Sequence, residues 1–350
     1  MLFALSVAAC SSGGEEGGSA DSVAASLAVM PPRPEHVSSD ITYGDMAEAA
    51  DLAGVELPDL PADGDEGDVE DVLRSLTAMT GGPAPDGGDL SPVVAALPSA
   101  SHFDAMEDLP GFAEEVGWSI VDVDGFVDIG PAATVLQGDF DEDRLTEALG
   151  DPGDDGVWIA GNQDGTTDTL DRTAARQLGE ALWLSLVDDR LVVTHDADVM
   201  ATVRAVGEGE GESLADNETL ASLAEGLDGV GVYSALLTDL PPISRVACDE
   251  SLEDYRGVAV GIADDDGPVV VLVYDHADAA AAAANAATVE HLVTDGESLA
   301  SGEPWSERLA VDDITTDGAR VVARLRPTEP AGAGIWRQIY AANDNLVALC

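Results

Sequence analysis

The chain has 350 residues, of which 69 are Asp or Glu and only 14 are basic, all of them arginine, for a formal net charge of −55. Such a field repels phosphate backbones and anionic headgroups, so nucleic-acid binding and a polybasic grip on lipid are excluded. A hydrophobic fraction of 45% is ample for a buried core, and the length suits two domains. Two origins of the acidity are open. The carboxylates either solvate a surface bathed in screening salt or bind cations specifically, and their spread through turns and helix faces favours the first.

At the start of the chain, Leu5-Ser6-Val7-Ala8-Ala9-Cys10 is an apolar run ending in small residues before a cysteine. It resembles the lipobox of prokaryotic surface lipoproteins. That resemblance implies lipid on Cys10 and an extracytoplasmic protein held to the membrane by it. Residues 1–10 then read as a truncated signal peptide. Met1 to Ala9 carries no basic residue, so the true start codon is expected further upstream. Residues 11–34, rich in Gly, Ser and Glu and stiffened at the end by Pro31, Pro32 and Pro34, read as a flexible tether.

Residues 35–206 read as a first α+β module. Ile41 to Tyr43 is a short strand, Met46 to Ala53 a helix closed by Gly54, and Val69 to Met79 a second helix. Ala133 to Phe140 is a strand, followed by a helix from Arg144 to Leu149 behind Asp141, Glu142 and Asp143, acidic groups suited to its positive end. Val157 to Ala160 is a strand, Ala181 to Leu186 and Leu191 to His195 form a hairpin, and Asp198 to Val206 is a helix. The order β-α-β-β-α predicts a ferredoxin-like core, an antiparallel sheet with helices packed on one face.

The Gly/Glu alternation of residues 207–213 builds neither strand nor core and reads as a linker. Residues 214–350 read as a second module: a helix from Glu218, a strand from Gly231, a hairpin around Asp264 to Gly267, an alanine-rich helix from Ala277 to Val293 and a second hairpin around Asp317-Gly318. Hairpin, helix, hairpin, helix echoes the first module. The run from Thr134 to Asp141, with Leu145 to Leu149 and the Leu191-Val192-Val193 hairpin, also resembles uncharacterised acidic surface lipoproteins of haloarchaea and actinobacteria over residues 30–206. No activity comes with that resemblance.

Candidate sites are few. Besides Cys10, only Cys248 and Cys350 occur, and a remaining pair in an exported chain predicts one disulfide. Asp139, Asp141 and Asp143 alternate like the start of a calcium loop, but Arg144 and Gly150 stand where that loop needs glycine and glutamate, and helix capping explains the same carboxylates. His36, His102, His195, His276 and His291 show no ligand spacing. No nucleophile elbow, P-loop or Rossmann glycine pattern is present, and no cofactor is implied. The five tryptophans, Trp118, Trp158, Trp183, Trp305 and Trp336, read as core anchors, an exposed pair being the alternative.

The sequence therefore predicts a lipid-anchored cell-surface protein that binds an unknown ligand or envelope partner without catalysis. Two alternatives stand beside it. One is an extracytoplasmic hydrolase using acidic residues, and the other a purely structural envelope protein.

Overall fold

The runs Gly257–Asp264 and Pro268–Asp275 are apolar at almost every position, the pattern of strands buried on both faces, and they lie near the middle of one half of a single sheet. In a computed structural model, which describes residues 22–33, 40–58, 66–84, 88–100, 108–130, 132–162, 166–240, 242 and 251–349, eleven antiparallel strands form that sheet. They are β1 (Ile41–Asp45), β2 (Val123–Ile129), β3 (Ala133–Gly138), β4 (Trp158–Ala160), β5 (Leu182–Val187) and β6 (Arg190–Thr194), then β7 (Val232–Thr238), β8 (Gly257–Asp264), β9 (Pro268–Asp275), β10 (Leu309–Asp317) and β11 (Arg320–Pro327). The spatial order is β10-β11-β9-β8-β7-β1-β2-β3-β6-β5-β4.

That order is nearly symmetric about the β1–β7 pair. On one side hairpin β2–β3 is followed by hairpin β5–β6, with β6 against β3; on the other, hairpin β8–β9 is followed by β10–β11, with β11 against β9. Each pair of hairpins is bridged by a helix, Glu142–Leu149 in the first half and Ala279–Asp295 in the second. The predicted echo between the halves is thus an echo of topology, and the strands on both sides of residues 207–213 belong to one sheet.

Nine α-helices are described: α1 (Val23–Leu27), α2 (Met46–Ala53), α3 (Glu66–Met79), α4 (Leu109–Val116), α5 (Glu142–Leu149), α6 (Ala197–Gly207), α7 (Glu218–Asp228), α8 (Ala279–Asp295) and α9 (Ile335–Ala341). The α+β class is as expected, but helices cover both faces rather than one. Leu76 of α3, Phe112 of α4, Leu145 of α5, Val289 of α8 and Trp336 of α9 pack on one face. Leu27 of α1, Val203 of α6 and Leu223 of α7 pack on the other. Strands β3, β6 and β5 lie in the order of a ferredoxin-like core, but β4, expected within that core, is an added edge strand beyond β5, and α5 and α6 lie on opposite faces. Strands apolar on both faces require a cover on each.

A second departure concerns residues 11–34. Part of the expected tether is folded: Ser22 caps α1, and Val23, Leu27 and Met30 are buried. Val23 and Ala24 donate their N–H groups to the Asp228 carboxylate at the end of α7, at 2.8 and 3.1 Å. Apolar residues spaced four and three apart make a one-sided stripe even in an alanine-rich segment, and tertiary packing supplies what so short a helix lacks.

Local chemistry sets the joints. Asp188 and Asp189 both adopt positive φ, 48° and 64°, the two-residue turn that matches strand twist between β5 and β6. Gly54 ends α2 at φ 64°, where a side chain would be strained. The extended segment 93–96 ties the halves together: Val94 N–H donates to the Tyr233 hydroxyl, Ala96 N–H to Ser234 Oγ, and the buried Trp336 Nε1–H to Val94 O at 3.1 Å. Trp118, Trp158 and Trp305 are buried as well and Trp183 is half-buried, so the core reading of the tryptophans holds. Edge strand β10 carries Asp312, Asp313 and Asp317, charges that discourage pairing with another chain.

Candidate functional site

A cavity of about 670 Å³ opens at the end of the sheet where β7 finishes and β8 begins. Its wall is built by chain entering and leaving regular structure: Pro32 and Arg33 after α1, Glu212 to Thr219 leading into α7, Asp239 and Leu240 after β7, and Arg256 before β8. Asn217 caps α7 by accepting from the N–H groups of Thr219 and Leu220, so the helix start is satisfied internally. The other end of the same side chain donates to Asp239 Oδ2 at 2.8 Å.

Asp239 is the centre of this wall. It also accepts from Arg33 Nη2 at 2.6 Å, and the Arg33 side chain is only 11% exposed. Arg33 Nε is buried with no partner among the described residues. Behind it lies Asp40, whose carboxyl is pushed above the ordinary carboxylate range by burial, against the lowering effect of hydrogen bonds from Tyr340 and Thr238 and of the Arg33 charge. Arg256, half-exposed, places Nη2 against the buried Asp275 at 2.8 Å. Asp216 accepts from Ser213 N–H and Oγ, whereas Glu212 and Glu218 line the cavity without a cationic partner among the described residues. Leu240, 52% exposed, adds an apolar patch.

A second feature is buried in the sheet. One residue from each strand forms a continuous row across one face: Trp158, Leu184, Val193, Thr134, Asp128, Thr42, Leu236, Val260, Leu272, Ala323 and Ile314. Its only polar members, Thr134, Asp128 and Thr42, are adjacent. Asp128 is 3% exposed. Its Oδ2 accepts from Ser99 N–H at 2.9 Å and its Oδ1 from Thr134 Oγ1 at 3.4 Å, and burial pushes the carboxyl up, opposed by those same bonds. Ser99 and Thr134 then line a void of about 20 Å³ with His195, whose Nδ1 lies 3.2 Å from Ala181 O.

The sequence-predicted site residues fare differently. Cys10, Cys248, Cys350, His36 and His102 lie outside the described residues. Asp141 is the N-cap of α5, accepting from Asp143 N–H, and Asp139 lies close to Asp124, whose carboxyl is raised by burial and then by that charge. Among the described residues no group of three His, Cys, Asp or Glu is placed to hold a metal ion. His276 is fully buried against Tyr255 and Tyr274, and His291 sits on the exposed face of α8 beside Asp295. The carboxyls raised by burial, Asp40, Asp45, Asp124 and Asp128, do not line the large cavity. Among the described residues no helix is long and apolar enough to cross a membrane.

Arg33, Asn217, Asp239 and Arg256 carry no motif and are not singled out by the sequence. Scarcity is the signal that points to them. In a chain with 14 cations among 69 carboxylates, two arginines at one cavity mark a local requirement for positive charge. No family model matches the chain, and searches of curated proteins and of solved structures found no match.

Proposed function

We propose that this chain is a lipid-anchored protein of the cell envelope that binds a small polar ligand without transforming it. The cavity wall of Arg33, Asp239, Asn217 and Arg256 carries the binding half of that reading. Polar groups that converge on a concavity of several hundred Å³ and are held by one another suit recognition by pre-organised contacts. The anchoring half rests on the tract from Leu5 to Cys10. From Cys10 to Ser22 there are twelve residue steps, a reach of up to about 40 Å when fully extended, enough to hold a folded body clear of the headgroups.

Two measurements test the reading. Expressed with a complete leader, the wild-type protein partitions into detergent and Cys10→Ser releases it into the aqueous phase. In a thermal-shift screen of small polar solutes, at least one raises Tm of the wild type and not of Asp239→Asn. An unanchored wild type removes the first half, and a screen in which every stabilising solute also stabilises Asp239→Asn removes the second.

A further inference from the structure

We infer that the cavity at the start of α7 recognises a small zwitterion, a molecule carrying a carboxylate and an ammonium on an apolar body. The inference rests on the binding reading above and goes further by assigning the ligand's charges.

Two kinds of charged group line the one cavity. Arg256 has Asp275 as its only side-chain partner among the described residues, bound through Nη2, and Arg33, held by Asp239, adds a second guanidinium to the wall. Glu212 and Glu218 line the same cavity as carboxylates with no cationic partner among the described residues. Leu240 and Pro32 add apolar surface to the same lining, Leu240 as an exposed side chain.

The field of the whole chain then separates the ligand classes. An anion is repelled by a net charge of −55 before it reaches the arginines. A simple cation is attracted to carboxylates all over the surface and gains nothing distinctive here. A zwitterion carries no net charge, so the field neither repels nor disperses it, and both kinds of lining group then contribute. Charge-assisted hydrogen bonds from guanidinium to a ligand carboxylate, and from a ligand ammonium to Glu212 or Glu218, fix its direction. At about 670 Å³ the cavity has room for an amino acid or a short peptide with free ends.

The probe is the tripeptide Ala-Leu-Ala, titrated calorimetrically into the full chain in 0.5 M potassium chloride as the free, the N-acetylated and the C-amidated form. The free form binds, and either cap weakens binding by about tenfold or more, the loss of one hydrogen-bonded charge. In Arg256→Gln the amide no longer costs affinity, and in Glu212→Gln/Glu218→Gln the acetyl group no longer does. Because Arg256→Gln leaves the buried Asp275 unpaired, Arg256→Lys serves as its folded control and retains the preference for a free carboxylate. Capped peptides that bind as well as the free one overturn the inference. A neutral disaccharide that binds in place of the peptide and is lost in Asp239→Asn also overturns it, while leaving the cavity a binding site. If neither the peptides nor the disaccharide bind, this inference falls, and the binding reading is then judged by its own solute screen.

Discussion

Asp128 and Val260 stand at equivalent places in the two halves of the sheet, each directly across from one member of the central Thr42–Leu236 pair. The second half fills the position with an aliphatic side chain whose neighbour on the next strand is Leu272, while the first uses a carboxyl whose neighbour is Thr134. The topology therefore does not require an acid there. What the acid does is visible: it receives the N–H of Ser99 and lays the end of the 93–100 segment on the sheet. A carboxylate is an expensive acceptor for that task, because no cation among the described residues pairs with it in the core.

The first prediction follows from that cost. A carboxyl raised by burial contributes most to stability when protonated, below its unfolded value near 3.8, and that contribution is lost as pH rises through the higher folded value. At neutral pH the penalty is fully present. Asp128→Asn keeps an acceptor for Ser99 N–H and offers Thr134 an amide donor, so it stabilises the fold at pH 7 by on the order of 1 kcal/mol and raises Tm by about 2 °C. Below pH 3.5 the difference disappears. Asp128→Val, copying the second half, strands the Ser99 N–H and costs about 1–3 kcal/mol. Denaturant titrations at the two pH values decide it, and an Asn variant less stable than wild type at pH 7 would refute the account.

The same residue explains much of what was hard to read from sequence. Strand β2 is interrupted by Asp124, Gly125 and Asp128 and has a bulge between Val123 and Gly125, so it lacks both the apolar run of β8 and clean alternation. Helix α4 opens with Leu109-Pro110-Gly111, which resembles a turn, although Asp108 caps it and proline suits a first helical turn. By contrast β8, β9, α2 and α7 were legible because local propensity and burial agree. Neither the fusion of both halves into one sheet nor the cavity was legible. Both depend on long-range pairings, Ile41 with Leu237 and Arg33 with Asp239, that no local pattern encodes.

His276 supplies a second test. Its Nδ1 lies 3.0 Å from Asp254 O, and since a carbonyl only accepts, Nδ1 carries the proton and Nε2 is left a buried acceptor without a partner among the described residues. Burial lowers its pKa, so the neutral ring contributes stability above about pH 6.5 that is lost as pH falls through the folded value. His276→Asn retains a donor for Asp254 O and removes the titration. Wild type is the more stable at pH 8, and its advantage narrows by pH 5. A gap independent of pH would show that the ring acts by packing alone.

On the proposal that the chain is exported, Cys248 and Cys350 are predicted to be bridged. Supporting this, Leu349 N–H donates to Pro242 O at 2.8 Å, which brings together points one and six residues from the two cysteines. Closing a loop of that length stabilises by up to about 4–5 kcal/mol in the chain-entropy model. Alkylation without reduction followed by intact-mass analysis then labels neither thiol, and reduction lowers Tm. A freely alkylated sulfur in folded, exported protein rules the clamp out.

The acidic surface makes the last prediction. Repulsion already reaches individual groups: the Asp45 carboxyl is raised by burial first and then by Glu48 and Asp124. Salt shortens the range of such repulsion to about 3 Å at 1 M. It also weakens exposed ion pairs such as Arg74 with Glu70 and Asp71, but pairs of that kind are individually worth little. With 69 carboxylates against 14 arginines, like-charge neighbours outnumber opposite ones, so relief exceeds loss. Tm therefore rises by several degrees between dilute buffer and 1–2 M monovalent chloride, with sodium and potassium equivalent, a general screening effect. An increase produced wholly by micromolar calcium and not by monovalent salt would instead require a specific site, and Asp139, Asp141 and Asp143 would be the first residues to substitute.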